Sequence, residues 1–166
     1  MENLVSPAFW RGRRVFVTGH TGFKGSWLSL WLQQMGADVS GYALQPATTP
    51  ALFGVADVER GMHSVCGDIG DYETLRRTLA AARPEIVLHL AAQPLVPHAY
   101  AAPVETFATN AMGTVNVLEA CRHQPDVAAV VVVSSDKCYE NQEQIWGYRE
   151  TDPMGGHDPY SASKGC

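Results

Sequence analysis

The sequence predicts an α/β fold, a doubly wound parallel sheet with helices on both faces, and two observations support this. Apolar strand-like runs, such as residues 86–90 and 128–133, alternate with helix-like segments along the chain. Unbroken Val/Ile/Leu strands of this kind are typical of parallel sheets that are covered on both faces. In addition, the apolar run 15–17 leads into three glycines with the spacing G-x-x-G-x-x-G, namely Gly19, Gly22 and Gly25.

The glycine motif predicts a strand, a tight phosphate-binding turn and a helix. Gly19 permits a sharp turn, Gly22 has no Cβ where a pyrophosphate would approach, and Gly25 lets the helix pack closely on the strand. The helix N-terminus would direct free N–H groups and partial positive charge at the phosphates. Because an amphipathic segment, 26–35, follows the glycines, we interpret them as a dinucleotide-binding turn rather than an ordinary glycine-rich turn.

The composition is that of a soluble protein of one domain. The chain has 166 residues, of which 46% are apolar and 17% charged, and a net charge of −5 without a Lys/Arg cluster. This charge argues against a nucleic-acid partner. The four cysteines lack metal-ligand spacing, so no metal site and no disulfide framework are expected. The longest apolar run, 127–133, is too short to span a membrane, and no signal peptide precedes it, so we expect a cytoplasmic protein.

The order of the elements follows from the hydrophobic pattern. Strands are expected at 38–42, 64–66, 86–90 and 128–133, and helices at 71–82 and 103–123; Val115, Leu118 and Cys121 are expected on one face of the longer helix. Residues 44–54 and 134–159 are interpreted as loops. We divide the chain into an N-terminal extension, 1–13, and a nucleotide-binding domain, 14–166. A helix that starts at Tyr160 and stops without a cap indicates the front part of a longer protein.

A second motif, Y-x-x-x-K, is formed by Tyr160 and Lys164. At four-residue spacing both side chains lie on one helical face. The nearby ammonium favours the phenolate, so such a tyrosine can accept a proton from an alcohol. The motif is weak alone, but it follows a strand-terminal serine and a dinucleotide turn, which makes a chance surface pair the poorer interpretation.

Together these motifs resemble the extended short-chain dehydrogenase/reductase family, whose fold is the NAD(P)-binding Rossmann fold. The resemblance rests on the glycine motif and on Asp68-Ile69, Ala91-Ala92, Asn110 and the Y-x-x-x-K motif. It implies that Asp68 binds the adenine amino group, Ile69 packs on the ring, and Ala91 and Ala92 lie under the adenosine ribose. It also implies cofactor contacts by the glycine turn and the catalytic pair, namely Gly19, Thr21, Gly22, Phe23, Lys24, Gly25, Tyr160 and Lys164.

Within this family the chain resembles the nucleotide-sugar 4,6-dehydratases. These place an acid and a base directly after a strand-terminal Ser or Thr, and here Ser135, Asp136 and Lys137 match that pattern. Most dTDP-glucose enzymes carry Asp-Glu, whereas the Asp-Lys pair resembles the subgroup that acts on CDP-glucose. Three further stretches resemble the same subgroup: residues 19–32, 91–96 and 146–150 with Gly155 and Gly156.

The resemblance implies that NAD is the cofactor and CDP-glucose the substrate. Tyr160 would take the proton of the 4-hydroxyl, Lys137 the proton at C5, and Asp136 would protonate the departing 6-hydroxyl. The product would be CDP-4-keto-6-deoxy-D-glucose, a precursor of deoxysugars in bacterial surface polysaccharides. Gln93 and Arg149 are candidate substrate contacts. A homodimer is implied through the 103–123 and Tyr160 helices, and the 166-residue chain alone is expected to be inactive.

Several alternatives stay open at this point. The second predicted strand ends at residues 41–44 without an acid for a ribose 2′-hydroxyl, and Lys24 could meet a 2′-phosphate, so the motif permits NADP. The base of the nucleotide sugar is not readable here. Another 4,6-dehydratase, a 4-epimerase and a non-catalytic NAD(P)-binding domain are the alternative functions. We interpret His89 and Cys138 as packing residues, and Trp27 and Trp31 as core or interface residues.

Overall fold

The computed structural model of the protein describes residues 6–166. Within them, five strands form the sheet: β1 (Arg14–Thr18), β2 (Asp38–Ala43), β3 (His63–Cys66), β4 (Ile86–His89) and β5 (Ala129–Val132). The helices are α1 (Pro7–Trp10), α2 (Phe23–Gln34), α3 (Leu52–Val55), α4 (Tyr72–Ala82), α5 (Val96–Ala101), α6 (Pro103–Phe107), α7 (Gly113–Arg122) and α8 (Pro159–Gly165). Short 3₁₀ turns lie at Val58–Gly61 and Asp136–Cys138, and a π-helical segment lies at Ala108–Met112.

The sheet has the order β3-β2-β1-β4-β5, and all neighbouring strands are parallel. The predicted doubly wound fold is therefore confirmed. The chain runs outward from β1 to β3 and then returns to the other side of β1 to form β4. Ligands of such sheets bind beyond the carboxyl ends of the strands, where the strand order reverses. That point lies here between β1 and β4.

Helices cover both faces of the sheet because the side chains of β1 alternate between two hydrophobic clusters. Val15 and Val17 point to one face, where they pack with Leu32 of α2. Phe16 points to the other face and joins a cluster with residues of α4 and α7, namely Leu75, Leu79 and Val117. Each side chain of this size contributes about 1.5–3 kcal/mol when it is fully buried. These clusters fix the strand ends that carry the candidate site.

Two predicted helices, 26–35 and 71–82, agree with α2 and α4 to within three residues at each end. Asp71 caps α4, because its carboxylate accepts a hydrogen bond from the Thr74 N–H at 3.1 Å. Helix α2 begins at Phe23, three residues before the predicted start, because the glycine turn itself leads into the first helical turn. The glycine motif and the helix thus form one continuous unit.

The predicted 103–123 helix is helical throughout but contains the π-helical segment. The N–H of Gly113 bonds to the carbonyl of Ala108, five residues back. The core-facing residues of α7 are Gly113, Val117, Ala120 and Cys121. The predicted shared face is therefore wrong in part: Cys121 is buried, whereas Val115 and Leu118 are 52% and 44% exposed. Steps of three residues drift by about 60° each around a helix, which takes Val115 and Leu118 away from the sheet.

Two other expectations about burial are wrong. Strand β5 exists as predicted, but Val131 and Val132 are 50% and 40% exposed, because β5 is an edge strand within residues 6–166. Trp27 and Trp31 on α2 are 56% and 50% exposed, so they do not belong to the core of this chain. Their alternative assignment to an interface stays a prediction.

The predicted N-terminal extension does not stand apart from the domain where it is described. Trp10 of α1 packs against the cluster under α2, and the Gly12 N–H donates to the Gly36 carbonyl at 2.7 Å. Residues 1–5 of that extension lie outside the described part. From residue 6 onward, none of the helices combines the length and the apolar character that crossing a bilayer requires.

Candidate cofactor and catalytic site

The glycine turn after β1 is shaped by close backbone contacts. Gly19 has a φ of 74°, and a Cβ there would lie 2.7 Å from the Ala91 nitrogen, in the loop after β4. A Cβ on Gly25 would overlap the Gly19 carbonyl oxygen. Gly22 differs, since its Cβ would meet only the Gly19 oxygen, at 3.4 Å, and would otherwise face open space. The backbone above Gly22 is therefore accessible to a ligand.

The first turn of α2 has features that favour anion binding. The first N–H groups of a helix have no intrahelical partner, and here no side chain at Gly22 caps them. The exposed Lys24 adds a positive charge, and Phe23 is 71% exposed beside it. Thr21 faces elsewhere: its hydroxyl donates to the Leu44 carbonyl at 2.8 Å and ties the turn to the end of β2. Free N–H groups and partial positive charge together favour an anion at this position.

The end of β3 holds the two residues implied for adenine. One Asp68 carboxylate oxygen accepts the Gly70 N–H at 2.8 Å, while the Asp68 backbone carbonyl accepts the Tyr42 hydroxyl at 3.0 Å. Ile69 is 4% exposed and belongs to the core cluster below α7. The Ile69 side chain therefore has little surface left for a ring, and its predicted contact with adenine depends on that remaining surface.

The loop after β4 lies next to the glycine turn. Ala91 and Ala92 are half-buried there, and their contact with a ribose stays a prediction. The Gln93 amide is already engaged: its oxygen accepts the Leu95 N–H at 2.6 Å, and its nitrogen donates to Thr106 Oγ1 at 3.0 Å. A substrate contact by Gln93 would require these bonds to be exchanged.

The end of β5 carries the predicted acid and base. Ser135 caps the short 3₁₀ turn, because its Oγ accepts the Lys137 N–H at 3.0 Å. Lys137 Nζ lies 4.0 Å from Asp136 Oδ2, and the two side chains are 57% and 73% exposed. Both are thus free to turn toward a ligand. Arg149, the other candidate substrate residue, lies on an exposed loop.

Helix α8 begins at a well-formed cap and packs against the 3₁₀ turn at Asp136–Cys138. Asp158 accepts hydrogen bonds from the Ser161 N–H, at 2.9 Å, and from the Ser161 hydroxyl. Burial acts to raise the pKa of Asp158, but these hydrogen bonds outweigh burial and hold the pKa below its usual value. The cap fixes where α8 starts relative to β5.

Tyr160 and Lys164 of α8 are both half-buried. Lys164 Nζ donates to the Val133 carbonyl, at 3.2 Å, at the end of β5. Burial lowers the pKa of Lys164, while Cys138 acts in the opposite direction. The structure therefore brings the five predicted catalytic residues to one edge of the sheet, and it buries Cys138 beside them. Among residues 6–166, no group of three His, Cys, Asp or Glu side chains could hold a metal ion.

Two buried histidines flank the site, and the sequence singled out only one of them. His89 is 2% exposed, which confirms its assignment to the core, whereas His20 inside the glycine motif was not assigned a role. His20 Nε2 lies 2.8 Å from Ser64 Oγ, and a Cβ on Gly41 would overlap the His20 ring. Burial lowers the pKa of His20 to about 4. Burial and then the Lys164 charge lower the pKa of His89 to about 4.

These two histidines predict a loss of stability in mild acid. Both stay neutral in the folded chain until about pH 4, whereas they accept protons near pH 6.5 when unfolded. The free energy of unfolding should therefore fall as the pH drops from 7 to 5, by up to about 1.4 kcal/mol per pH unit for each histidine. Urea unfolding at several pH values measures this slope. His89→Gln should reduce the slope, and His157→Gln, at an exposed position, should leave it unchanged; equal slopes in all three proteins would contradict the assignment.

The sheet is parallel, and the glycine turn lies between β1 and β4, where the strand order reverses. The Tyr-Lys pair lies near the carboxyl end of β5. These features define a Rossmann-type dinucleotide-binding domain. A family model described as GDP-mannose 4,6 dehydratase matches residues 16–166, and the chain belongs to this family. It is 58% identical to CDP-glucose 4,6-dehydratase of Salmonella typhimurium over 98% of the chain and 45% of that relative. It is 33% identical to dTDP-glucose 4,6-dehydratase of Xanthomonas campestris over 89% of the chain and 45% of that protein.

Solved structures show the same fold. UDP-glucose 4-epimerase from Brucella ovis, in complex with NAD, superimposes with a TM-score of 0.79 and 26% identity. The match covers 92% of this chain and 45% of the epimerase. The chain thus spans less than half the length of each of these three proteins.

Proposed function

We propose that the chain is the cofactor-binding part of a nucleotide-sugar 4,6-dehydratase whose substrate is CDP-glucose. The observation that carries the proposal is the position of Asp136 and Lys137, an acid and a base beside the helix with Tyr160 and Lys164. A 4-epimerase needs no such pair after its strand-terminal serine. The 58% identity to a CDP-glucose 4,6-dehydratase supports both the reaction and the CDP group.

The cofactor in this proposal is NAD, as in the bound epimerase structure. The turn from Gly19 to Gly25 would hold the pyrophosphate, because the α2 N-terminus is uncapped there. Lys164 would hold the nicotinamide ribose. When bound, NAD supplies the oxidant needed at C4 of the sugar and, once reduced, the reductant needed at C6.

The residues of the chain would move three protons. Tyr160 accepts the proton of the 4-hydroxyl, helped by the ammonium of Lys164. A ketone at C4 acidifies the C5–H bond, so a base at Lys137 can remove that proton. Asp136 protonates the departing 6-hydroxyl, and water leaves. Ser135 would orient the sugar hydroxyl from the start of the same 3₁₀ turn.

The complete activity is proposed for a protein of the relatives' full length. We propose that residues 14–166 form its cofactor domain, that the protein is cytoplasmic, and that the chain alone does not turn over CDP-glucose. A homodimer through α6, α7 and α8 is part of the proposal. It is supported by exposed apolar side chains on α6, on α7 and on the π-helical segment between them, namely Val104, Met112, Val115 and Leu118.

A panel of nucleotide sugars tests the function. In a protein of full length that begins with this chain, CDP-glucose should yield a 4-keto-6-deoxy product at least about tenfold faster than UDP-, GDP- or dTDP-glucose. The 166-residue chain should bind NAD in a calorimetric titration but form no product. If another nucleotide sugar is turned over faster, that sugar replaces CDP-glucose in the proposal. If the product is an epimerised sugar and not a dehydrated one, the proposal is overturned. If the protein prefers NADP to NAD, Lys24 is implicated in binding the 2′-phosphate.

A further inference from the structure

A series of polar side chains, all buried except the half-buried Thr114, connects the end of β1 with the helix α8. The Thr18 hydroxyl lies 2.6 Å from His89 Nδ1, and His89 Nε2 lies 3.0 Å from the Thr114 hydroxyl of α7. The Thr114 hydroxyl donates to the Asn110 carbonyl at 2.7 Å. The Asn110 side chain in turn donates to Ser163 Oγ at 2.8 Å. We call this series the polar bridge: Thr18, His89, Thr114, Asn110 and Ser163.

The neighbours of the polar bridge fix the direction of each proton in it. Thr18 Oγ1 already accepts two backbone N–H groups, those of Leu90 and Ala91, each at 3.1 Å. Its hydroxyl proton must therefore be donated to His89 Nδ1, which leaves the ring proton on Nε2. His89 Nε2–H then donates to Thr114, whose own proton is used at the Asn110 carbonyl. The imidazole is thus held in one neutral tautomer.

The second half of the polar bridge has the same definite direction. Asn110 Oδ1 accepts the Gln93 N–H at 2.8 Å and its Nδ2 donates to the Gln93 carbonyl at 3.1 Å, which settles the orientation of the amide. The remaining Nδ2 proton goes to Ser163 Oγ. Ser163 donates to the Tyr160 carbonyl at 2.7 Å. Each bond between members of the polar bridge is therefore donated in the direction from β1 toward α8.

The polar bridge joins three parts of the candidate site. Thr18 directly precedes Gly19 of the glycine turn and anchors the loop with Ala91. Ser163 lies between Tyr160 and Lys164 on α8. Thr18, His89 and Ser163 are 0%, 2% and 2% exposed, so these three side chains are shielded from water. His89 links the two ends, because one ring nitrogen contacts Thr18 of β1 and the other contacts Thr114 of α7.

We propose that His89 is a positioning residue, which holds Tyr160 and Lys164 in register with the glycine turn. The inference rests on the proposed function, because register matters where a cofactor and a catalytic tyrosine meet at one substrate. A displacement of a catalytic group by about 1 Å costs up to about a hundredfold in rate. A histidine that only filled space would not link the position of Tyr160 to that of the glycine turn.

The tautomer is tested on the unaltered chain. Nitrogen-15 NMR of the imidazole should show a bare Nδ1 and a protonated Nε2 at pH 7. A protonated Nδ1, or a mixture of tautomers in rapid exchange, would overturn the proposal. This measurement requires no variant that folds.

Two substitutions of His89 each remove one of its two contacts, that with Thr18 or that with Thr114. In His89→Asn, an oxygen takes the place of Nδ1 and accepts from Thr18, but the contact with Thr114 is lost. In His89→Gln, a nitrogen takes the place of Nε2 and donates to Thr114, but Thr18 loses its acceptor. We expect His89→Asn to shift the NMR signals of α8 and to leave NAD affinity within about twofold. We expect His89→Gln to shift the signals of the glycine turn and to weaken NAD binding about tenfold.

The same variants are then compared in a protein of full length. His89→Asn should lower kcat about tenfold with KM unchanged, since Tyr160 loses its orientation while binding is kept. Thr114→Val removes the hydroxyl that contacts His89 and should lower kcat in the same way. Thr114→Ser keeps the hydroxyl and should keep the kcat of the unaltered protein. Identical effects of the two His89 variants, or no effect of either, would refute the positioning role. If the unaltered protein makes no dehydrated sugar while the NMR results hold, the proposed function fails and the polar bridge stands.

Discussion

Gly22→Val should abolish NAD binding and leave the fold intact, whereas Gly25→Ala should destabilise the fold itself. The difference comes from the space at each glycine. At Gly22 the added Cβ meets only the Gly19 oxygen at 3.4 Å, and the backbone, with φ −74° and ψ 168°, suits a β-branched residue. Its methyl groups would instead occupy the space that a pyrophosphate needs. At Gly25 the Cβ would overlap the Gly19 carbonyl, so α2 must move away from β1.

The two outcomes are measured separately on the 166-residue chain. Gly22→Val should weaken NAD binding at least about a hundredfold in calorimetry, equivalent to about 2.8 kcal/mol, with an unchanged circular dichroism spectrum. Gly25→Ala should lower the free energy of unfolding by about 2–4 kcal/mol in urea. Gly147→Ala serves as the control, because a Cβ there meets nothing within 4 Å. Unchanged NAD affinity in Gly22→Val would remove the phosphate assignment.

The fold was predictable because its signals are local. The G-x-x-G-x-x-G motif after an apolar strand requires a tight turn, and the positive φ of Gly19 and the close contact at Gly25 are the physical reasons for it. The cap at Asp71 likewise follows from its own sequence position. The burial of individual side chains was less predictable, because an apolar run that contains Val131 is compatible with both a central strand and an edge strand. Only the strand order shows that β5 has one unpaired edge within residues 6–166.

The residues of the candidate site that follow the strand ends could be predicted from the sequence, but the hydrogen bonds that connect these strand ends could not. Ser135 to Lys137 and the Tyr160 motif follow from spacing and resemblance, and the sheet brings them together. The polar bridge was not predictable, because Thr18, His89 and Thr114 are far apart in sequence and each is unremarkable alone. The apolar run around His89 correctly indicated that this side chain is buried. Its hydrogen-bond partners, Thr18 and Thr114, depend on the register of β1 with β4 and on the packing of α7. The buried position of His20 was not predictable either, because its partner Ser64 lies 44 residues away in the sequence.

Lys137→Met and Tyr160→Phe should stop the proposed reaction at different stages. Tyr160 is half-buried on α8 and would accept the first proton, so Tyr160→Phe should abolish oxidation at C4. Lys137 lies on the 3₁₀ turn at β5, 4.0 Å from Asp136, and would act only on the C5 proton. Because these steps use different groups, Lys137→Met should still oxidise the sugar but release no dehydrated product. Loss of a general base or acid of this kind lowers the rate about 10²–10⁴-fold.

The test uses a protein of full length with CDP-glucose in deuterated water. Lys137→Met should show the absorbance of reduced nicotinamide but no deuterium at C5 of the recovered sugar, and Tyr160→Phe should show neither. Lys137→Arg keeps the positive charge, but its guanidinium stays protonated and cannot accept the C5 proton, so this matched control should behave like Lys137→Met. If Lys137→Met dehydrates CDP-glucose at the parent rate, Lys137 is not the base. If it fails already at oxidation, the lysine serves the first step or binding, and the division of roles between β5 and α8 is wrong.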